Sequence, residues 1–211
     1  RGFESLPLRQ FKLHPGCLTA GLLASRDCFF ASGHPDEHEG VDGRPPMLNG
    51  YPRILIIRFS AVGDVVRTLP GLHALRDTFP HAQIDWAIEN KSQDIVSEHP
   101  ALDRMLVFTR PEGFWAGVKA FIQFCRMLRA SRYDVVLDFH GIFKSGVASR
   151  ATGAPKRYGF SPPRGRELSY LFANRRVSLP STNLNRVEEN LRLCSGAGAE
   201  STSPEVIIAF P

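Results

Sequence analysis

Two short stretches of this sequence place reactive side chains beside small residues. The first is Phe59-Ser60-Ala61-Val62-Gly63-Asp64, where little bulk stands between a ligand and the backbone. If a helix starts there, its unpaired N–H groups face an anion or a sugar hydroxyl. Asp64 then admits two readings that coexist. Aspartate is a favoured helix N-cap, and a carboxylate within hydrogen-bond reach of a substrate hydroxyl is a general base. The second stretch is Asp138-Phe139-His140-Gly141-Ile142-Phe143-Lys144-Ser145. A strand-end acid, a glycine turn and a Lys-Ser pair at a helix start form a polar cluster where a core would have none. Taken singly, His140 reads as a surface or hydrogen-bonded histidine and Lys144 as a solvated helix residue. Their interest lies in sharing a sheet edge with Asp64.

That shared edge follows from the elements around the two stretches. Ile54 to Ile57 is an unbroken aliphatic run, as expected of a buried parallel strand. Val65, Val66, Leu69, Leu72, Leu75 and Phe79 then recur at helical spacing from Asp64, with Pro70 set to kink or reset the helix. Strands are expected at about Gln83 to Ile88, Arg104 to Phe108, Asp134 to Phe139 and, more weakly, Arg157 to Phe160. Helices are expected near Ser92 to His99, over Phe114 to Ala130, from after Gly141 to about Arg150, near Leu168 to Phe172, and over Asn185 to Leu193. Alternation of this kind gives βαβ crossovers and a mostly parallel sheet covered on both faces. The fold class is therefore α/β, Rossmann-like and doubly wound, and ligands of such sheets bind beyond the carboxyl ends of the strands.

Composition narrows the function. The chain has 211 residues, 43% hydrophobic and 22% charged, which is ordinary for a globular protein. No apolar run approaches the roughly 20 residues needed to span a bilayer, and no signal-peptide pattern opens the chain, so a cytoplasmic location is expected. Cys17, Cys28, Cys125 and Cys194 form no CxxC pair and read as reduced thiols. His34 and His38 have finger-like spacing, but Cys17 and Cys28 are too far apart for a zinc knuckle, and no metal site is expected. The net charge of +5 is local. Lys144, Arg150, Lys156, Arg157, Arg164, Arg166, Arg175 and Arg176 face a single acid, Glu167, over that stretch. Such a surplus suits an anionic small ligand or a lipid headgroup surface as well as nucleic acid. The absence of interleaved aromatics weighs against nucleic acid. Neither GxGxxG nor GxxxxGK[ST] is present, which removes the best support for NAD or ATP.

Residues 1–46 show no sustained period and end in a Gly-, Pro-, His- and acid-rich segment. They are expected to be a disordered or non-native extension, with Met47 as a candidate natural start. Residues 47–200 are expected to form the Rossmann-like domain, and 201–211, with the apolar tail Val206 to Phe210, to begin an interdomain linker.

Three segments resemble a known family. RILIIRFSAVGDVVRTLPGLHALRDTFPHAQIDWAIE is similar to the opening of the lipopolysaccharide heptosyltransferases, glycosyltransferase family 9, with its Ser-x-x-Gly-Asp loop and Thr-Leu-Pro helix. YDVVLDFHGIFKSGVASRATGAPKRYGF is similar to the family's Asp-x-Gln-Gly-x-x-Lys-Ser segment, and ELSYLFANRRV to its Leu-Phe-Tyr-Asn-Arg segment. The resemblance covers about residues 52–197 in the family's order. It implies the N-terminal, acceptor-binding half of a GT-B transferase that is inverting, metal-independent and without a cofactor. ADP-heptose would bind a further, C-terminal domain, and inner-core lipopolysaccharide would be the acidic acceptor, at the cytoplasmic face of the inner membrane. Asp64 matches the catalytic base. Arg58, Ser60, Gly63, His140, Lys144, Ser145, Asn174 and Arg175 match acceptor-cleft positions, with His140 standing where Gln is common. The implied donor domain is missing from this sequence, so the 211-residue chain alone is expected to transfer no sugar. The rival readings are a non-catalytic module that holds an anionic glycan and a nucleotide-binding Rossmann protein.

Overall fold

The computed structural model describes residues 51–180 and 184–199, all within the compact unit Pro45–Pro211. The expectations for residues 1–46 and for 201–211, including Val206 to Phe210, lie outside the described residues.

Six parallel strands form one sheet: β1 (Arg53–Ile57), β2 (Gln83–Glu89), β3 (Arg104–Phe108), β4 (Val135–Asp138), β5 (Lys156–Phe160) and β6 (Arg175–Val177). Their spatial order is β3-β2-β1-β4-β5-β6. The chain runs outward from β1 to one edge, returns, and continues from β4 to the other edge. β1 and β4 are therefore neighbours at the point where the order reverses, with Ile57 in register with Asp138. This is where an open α/β sheet parts its loops into a crevice.

Helices cover both faces, as the unbroken aliphatic strands require. In β1, Ile54 and Ile56 face α2 (Leu69–Thr78) and α5 (Arg186–Gly196). Leu55 and Ile57 face α3 (Phe114–Ala130) and α4 (Phe143–Thr152). All four are at most 1% exposed, and each such side chain contributes about 1.5–3 kcal/mol by leaving water.

Several expectations shift. The helix after β1 does not begin at Asp64. A short α1 (Val62–Val66) starts earlier, with Ala61 at the N-cap, and Asp64 lies in its first turn without capping it. Pro70 resets the helix rather than kinking it, because it occupies the first turn of α2, where its missing N–H costs nothing. The segment Asn90–Ile95 is a 3-10 helix, placed ahead of the expected Ser92 to His99. NKSQDI offers no apolar face at α-helical spacing, so packing does not extend it. A second 3-10 helix spans only Ser169–Leu171. The sixth strand, Arg175–Val177, was not expected, since three residues with two arginines show no strand alternation.

Candidate functional site at the carboxyl-terminal rim

The loops after β1 and β4 meet directly. The Phe59 N–H donates to His140 Nδ1 at 3.3 Å. Arg58 Nη1 donates to the Phe139 carbonyl at 2.7 Å. Each loop thus holds the other through backbone as well as side chains, which fixes the rim at the β1–β4 switch point.

Arg58, directly after β1, is buried yet carries a charge. Its other terminal nitrogen, Nη2, pairs with Asp64 Oδ2. Burial lowers its pKa, and Asp64 is the leading opposing influence. Arg67 Nη1 reaches the second Asp64 oxygen at 3.2 Å. Asp64 remains 35% exposed, and an ionised carboxylate has about four lone-pair positions. Two guanidinium contacts fix its orientation and leave acceptor capacity toward solvent. Gly63 is exposed beside it, and an added Cβ there would meet only Arg67 Nη1, at 3.8 Å. Packing within the chain does not require glycine at this position. Ser60 is half-buried on the same loop.

Across the crevice, Asp138 organises the β4 loop. Its Oδ1 accepts from the backbone N–H groups of His140 (3.0 Å) and Gly141 (3.1 Å), and its Oδ2 accepts from Ser145 Oγ at 2.9 Å. Ser145 is buried and also accepts from the Ile142 N–H at 3.1 Å, so it braces the start of α4 and presents nothing to a ligand. Gly141 turns the chain at φ +69, a conformation that favours glycine. Burial pushes the Asp138 carboxyl up to about 6 in spite of its three donors. His140 moves the other way, down to about 4, through burial and then the nearby cations Arg58, Lys144 and Arg164. It is neutral at pH 7, and with Nδ1 accepting from Phe59 its proton is carried on Nε2. A glutamine carbonyl oxygen would offer the Phe59 N–H a similar acceptor.

Lys144 is partnered. Its Nζ contacts Glu89 Oε1 at 2.5 Å and lies over the rings of Phe108 (4.1 Å) and Phe59 (4.8 Å). Glu89 was not foreseen, although a charged residue ending the apolar strand WAIE next to β1 was a usable signal. Arg164 was foreseen only as part of a basic stretch. It pairs with Glu189 at 2.7 Å and donates to the carbonyls of His140 and Phe139, both at 3.3 Å.

Asn174 and Arg175 are not brought to this rim. The three-residue β6 pairs only with the later part of β5, and Arg175, in register with Tyr158, stands level with Leu137 and Ile56 at mid-sheet on the edge strand. The Asn174 side chain accepts from the Arg157 N–H at 2.8 Å and donates to the Pro155 carbonyl at 2.6 Å, which ties down the start of β5. The basic stretch is likewise divided: Lys144 and Arg164 lie at the carboxyl-terminal rim, Lys156 at the amino-terminal one, and Arg175 between them on the edge strand.

Among the described residues, no group of three or more His, Cys, Asp or Glu could hold a metal ion, and no helix is long and apolar enough to cross a membrane. Cys125 and Cys194 are free thiols.

The family model for glycosyltransferase family 9 (heptosyltransferase) matches residues 121–207, a span that includes His140, Lys144 and Ser145 but not Asp64. Lipopolysaccharide heptosyltransferase 1 of Salmonella typhimurium is 35% identical over 130 residues, 59% of this chain and 41% of that protein. The lipopolysaccharide core heptosyltransferase OpsX of Haemophilus influenzae is 27% identical over 136 residues, 64% of this chain and 38% of that protein. The chain thus spans about two fifths of the length of the curated relatives it matches. Among solved structures, the Escherichia coli heptosyltransferase WaaC with ADP-2-deoxy-2-fluoro heptose superposes with a TM-score of 0.62 at 26% identity, covering 73% of this chain and 51% of that one. A glycosyltransferase family 9 protein from Veillonella parvula shares the fold with a TM-score of 0.65 at 23% identity, over 75% of this chain and 45% of that one. In both sequence and fold, then, the chain is similar to proteins of glycosyltransferase family 9, the heptosyltransferases.

Proposed function

We propose that this chain forms the acceptor-binding part of a heptosyltransferase and that Asp64 is the base of the transfer. The observation that carries the reading is the pairing of Asp64 with Arg58 at the β1–β4 crevice, because it orients a partly exposed carboxylate where the sheet opens. An acceptor hydroxyl lying against Asp64 attacks the anomeric carbon of the activated heptose from the face opposite its leaving group. The new oxygen–carbon bond forms as the carbon–oxygen bond to the nucleoside diphosphate breaks. The diphosphate leaves with the electron pair, and Asp64 takes the hydroxyl proton. Arg58 and Arg67 are positioning residues in this scheme.

The donor is an ADP-activated heptose, a reading supported by the ADP-heptose analogue named for the WaaC structure. The acceptor is the acidic inner core of lipopolysaccharide, reached from the cytoplasmic face of the membrane. Ser60, Gly63 and His140 line its approach. Lys144, drawn off by Glu89, contributes field more than a direct contact.

The test is Asp64→Asn in a protein that also carries the donor-binding part, with turnover and acceptor binding measured separately. General-base loss of about 10²–10⁴-fold in kcat with acceptor binding retained is expected. Unchanged turnover would remove Asp64 from the base role and leave the glycan-binding module as the better reading.

A further inference from the structure

The outer side of α3 is not the polar surface that a helix with one buried stripe ordinarily presents. Its inner side, with Phe124 and Leu128 buried, belongs to the core beneath the sheet. On its outer side Phe114 and Trp115 are 74% and 80% exposed, and Val118 and Ile122 are 37% and 46% exposed. Positions 115, 118 and 122 are three and four residues apart, so their side chains form one stripe. Lys119, Arg126 and Arg129 are all exposed on the same helix, which carries no acidic residue. Arg110 and Glu112, also exposed, precede it.

The direction of the helix adds to this. α3 and α4 leave the sheet from the ends of β3 and β4, pack side by side, and therefore start at the same rim as Asp64. The start of α4 also carries an exposed apolar side chain, Phe143 at 51%. Leu168 and Leu171, at 53% and 57%, lie in and beside the 3-10 helix packed against α4. The apolar side chains at this rim are thus wide-set around two neighbouring helix starts.

We propose that the outer face of α3 docks the protein on an anionic lipid bilayer, with Phe114 and Trp115 entering the headgroup layer and Lys119 and Arg126 facing lipid phosphates. A purely cationic helix with an aromatic pair at one end and an aliphatic stripe along it has the makeup of an interfacial helix. Tryptophan suits that layer because its ring is apolar and its N–H polar. The charge complementarity is with a continuous anionic surface, since the helix offers no acid to pair with a partner's cations. The consequence for catalysis rests on the function proposed above: a lipid-borne acceptor would reach the Asp64 rim without leaving the bilayer.

Trp115 supplies the probe. The chain has two tryptophans, and Trp86 is 0% exposed, so a change in emission on contact with lipid reports Trp115. The chain is titrated with phosphatidylcholine vesicles and with vesicles carrying about 30% phosphatidylglycerol, without any sugar substrate. A blue shift and co-sedimentation with the anionic vesicles are expected, with affinity at least tenfold above that for the neutral ones. Lys119→Glu with Arg126→Glu is expected to weaken binding about 25-fold or more, at about fivefold per cation near the surface. Phe114→Ser with Trp115→Ser is expected to abolish co-sedimentation while the far-UV circular dichroism and Tm stay unchanged, since both side chains are exposed. No partition of the wild type onto anionic vesicles, or equal binding by the Phe114/Trp115 variant, would overturn the proposal. So would a blue shift that appears without vesicles and grows with protein concentration, which would mark self-association. Because vesicle binding is read without turnover, and Asp64→Asn should bind vesicles like the wild type, failure here is distinguishable from failure of the catalytic reading.

Discussion

At the amino-terminal rim of the sheet, Asp85 is 0% exposed and accepts from Arg104 Nη2 (2.6 Å), Tyr133 Oη (2.6 Å) and Gln83 Nε2 (3.1 Å). Nearby, Asp103 takes the Ile84 N–H and Arg76 Nη2, both at 2.6 Å, and Asp134 takes the Arg53 N–H at 2.9 Å. At the carboxyl-terminal rim, Asp64 also has two guanidinium partners, but they leave it 35% exposed beside a crevice. Both rims use Asp–Arg pairs. At the first, the acids close strand starts and bind the chain to itself. At the second, the buried member is the arginine and the exposed member is the acid, so the free acceptor capacity points outward. In the Asp85–Arg104 pair the acid is the buried member, and in the Arg58–Asp64 pair it is the arginine.

The comparison predicts unlike outcomes for like substitutions. Arg58→Met removes the group that aims Asp64 and should lower kcat by about 10²-fold, the scale of a misplacement of about 1 Å at a reacting group. Arg104→Met at the other rim should leave kcat of the folded protein unchanged. It should instead lower stability by about 2–3 kcal/mol, because Asp85 keeps its burial and loses a charged partner. Steady-state kinetics in a protein that also carries the donor-binding part, with urea unfolding of both variants, checks the pair, and an activity defect in Arg104→Met as large as that in Arg58→Met would erase the distinction.

The titrating pair at the crevice gives a finer test. Asp138 has an ordinary value of 3.8 and a folded value of about 6. The folded state therefore holds that proton more tightly, and the contribution to stability falls as pH rises from about 4 to 6. His140 has an ordinary value of 6.5 and a folded value of about 4. There the unfolded chain holds the proton more tightly, and stability rises with pH from about 4 to 6.5. Each contribution is on the order of 3 kcal/mol, at about 1.4 kcal/mol per pKa unit, and the two oppose. Asp138→Asn should therefore steepen the gain in stability with pH relative to wild type, and His140→Gln should turn the profile downward. Denaturant midpoints from pH 4 to 7 measure this, and identical profiles for the two variants would contradict it. The smallest effect is expected at Asn174→Ala, a loss of about 1–2 kcal/mol for two backbone contacts with no change in KM.

Much of this was legible from residue order. The aliphatic runs at Ile54 to Ile57 and Val135 to Leu137 mark strands buried on both faces, and alternation with helical segments makes the sheet parallel. That arrangement puts Asp64 and His140 at strand ends that share a rim. The family resemblance placed Arg58 beside them. Partner choice was not legible: Lys144 meets Glu89 from 55 positions away, and nothing local signals that its charge is matched. Nor was the position of Asn174 and Arg175, because an edge strand of three residues leaves too little pattern to show how far along the sheet its first residue sits. The N-cap reading of Asp64 failed for a related reason. A small-residue loop lets the helix begin at Val62 with no side-chain cap, and the carboxylate is left for Arg58.

The most direct test is amide chemical-shift mapping of the isotope-labelled chain during titration with an acidic inner-core saccharide. Shifts concentrated at Phe59, Ser60, Gly63, His140 and Gly141 are predicted. Shifts concentrated instead at Lys156, Arg157, Asn174 and Arg175, with the Asp64 loop unmoved, would contradict the placement of the site at the β1–β4 crevice.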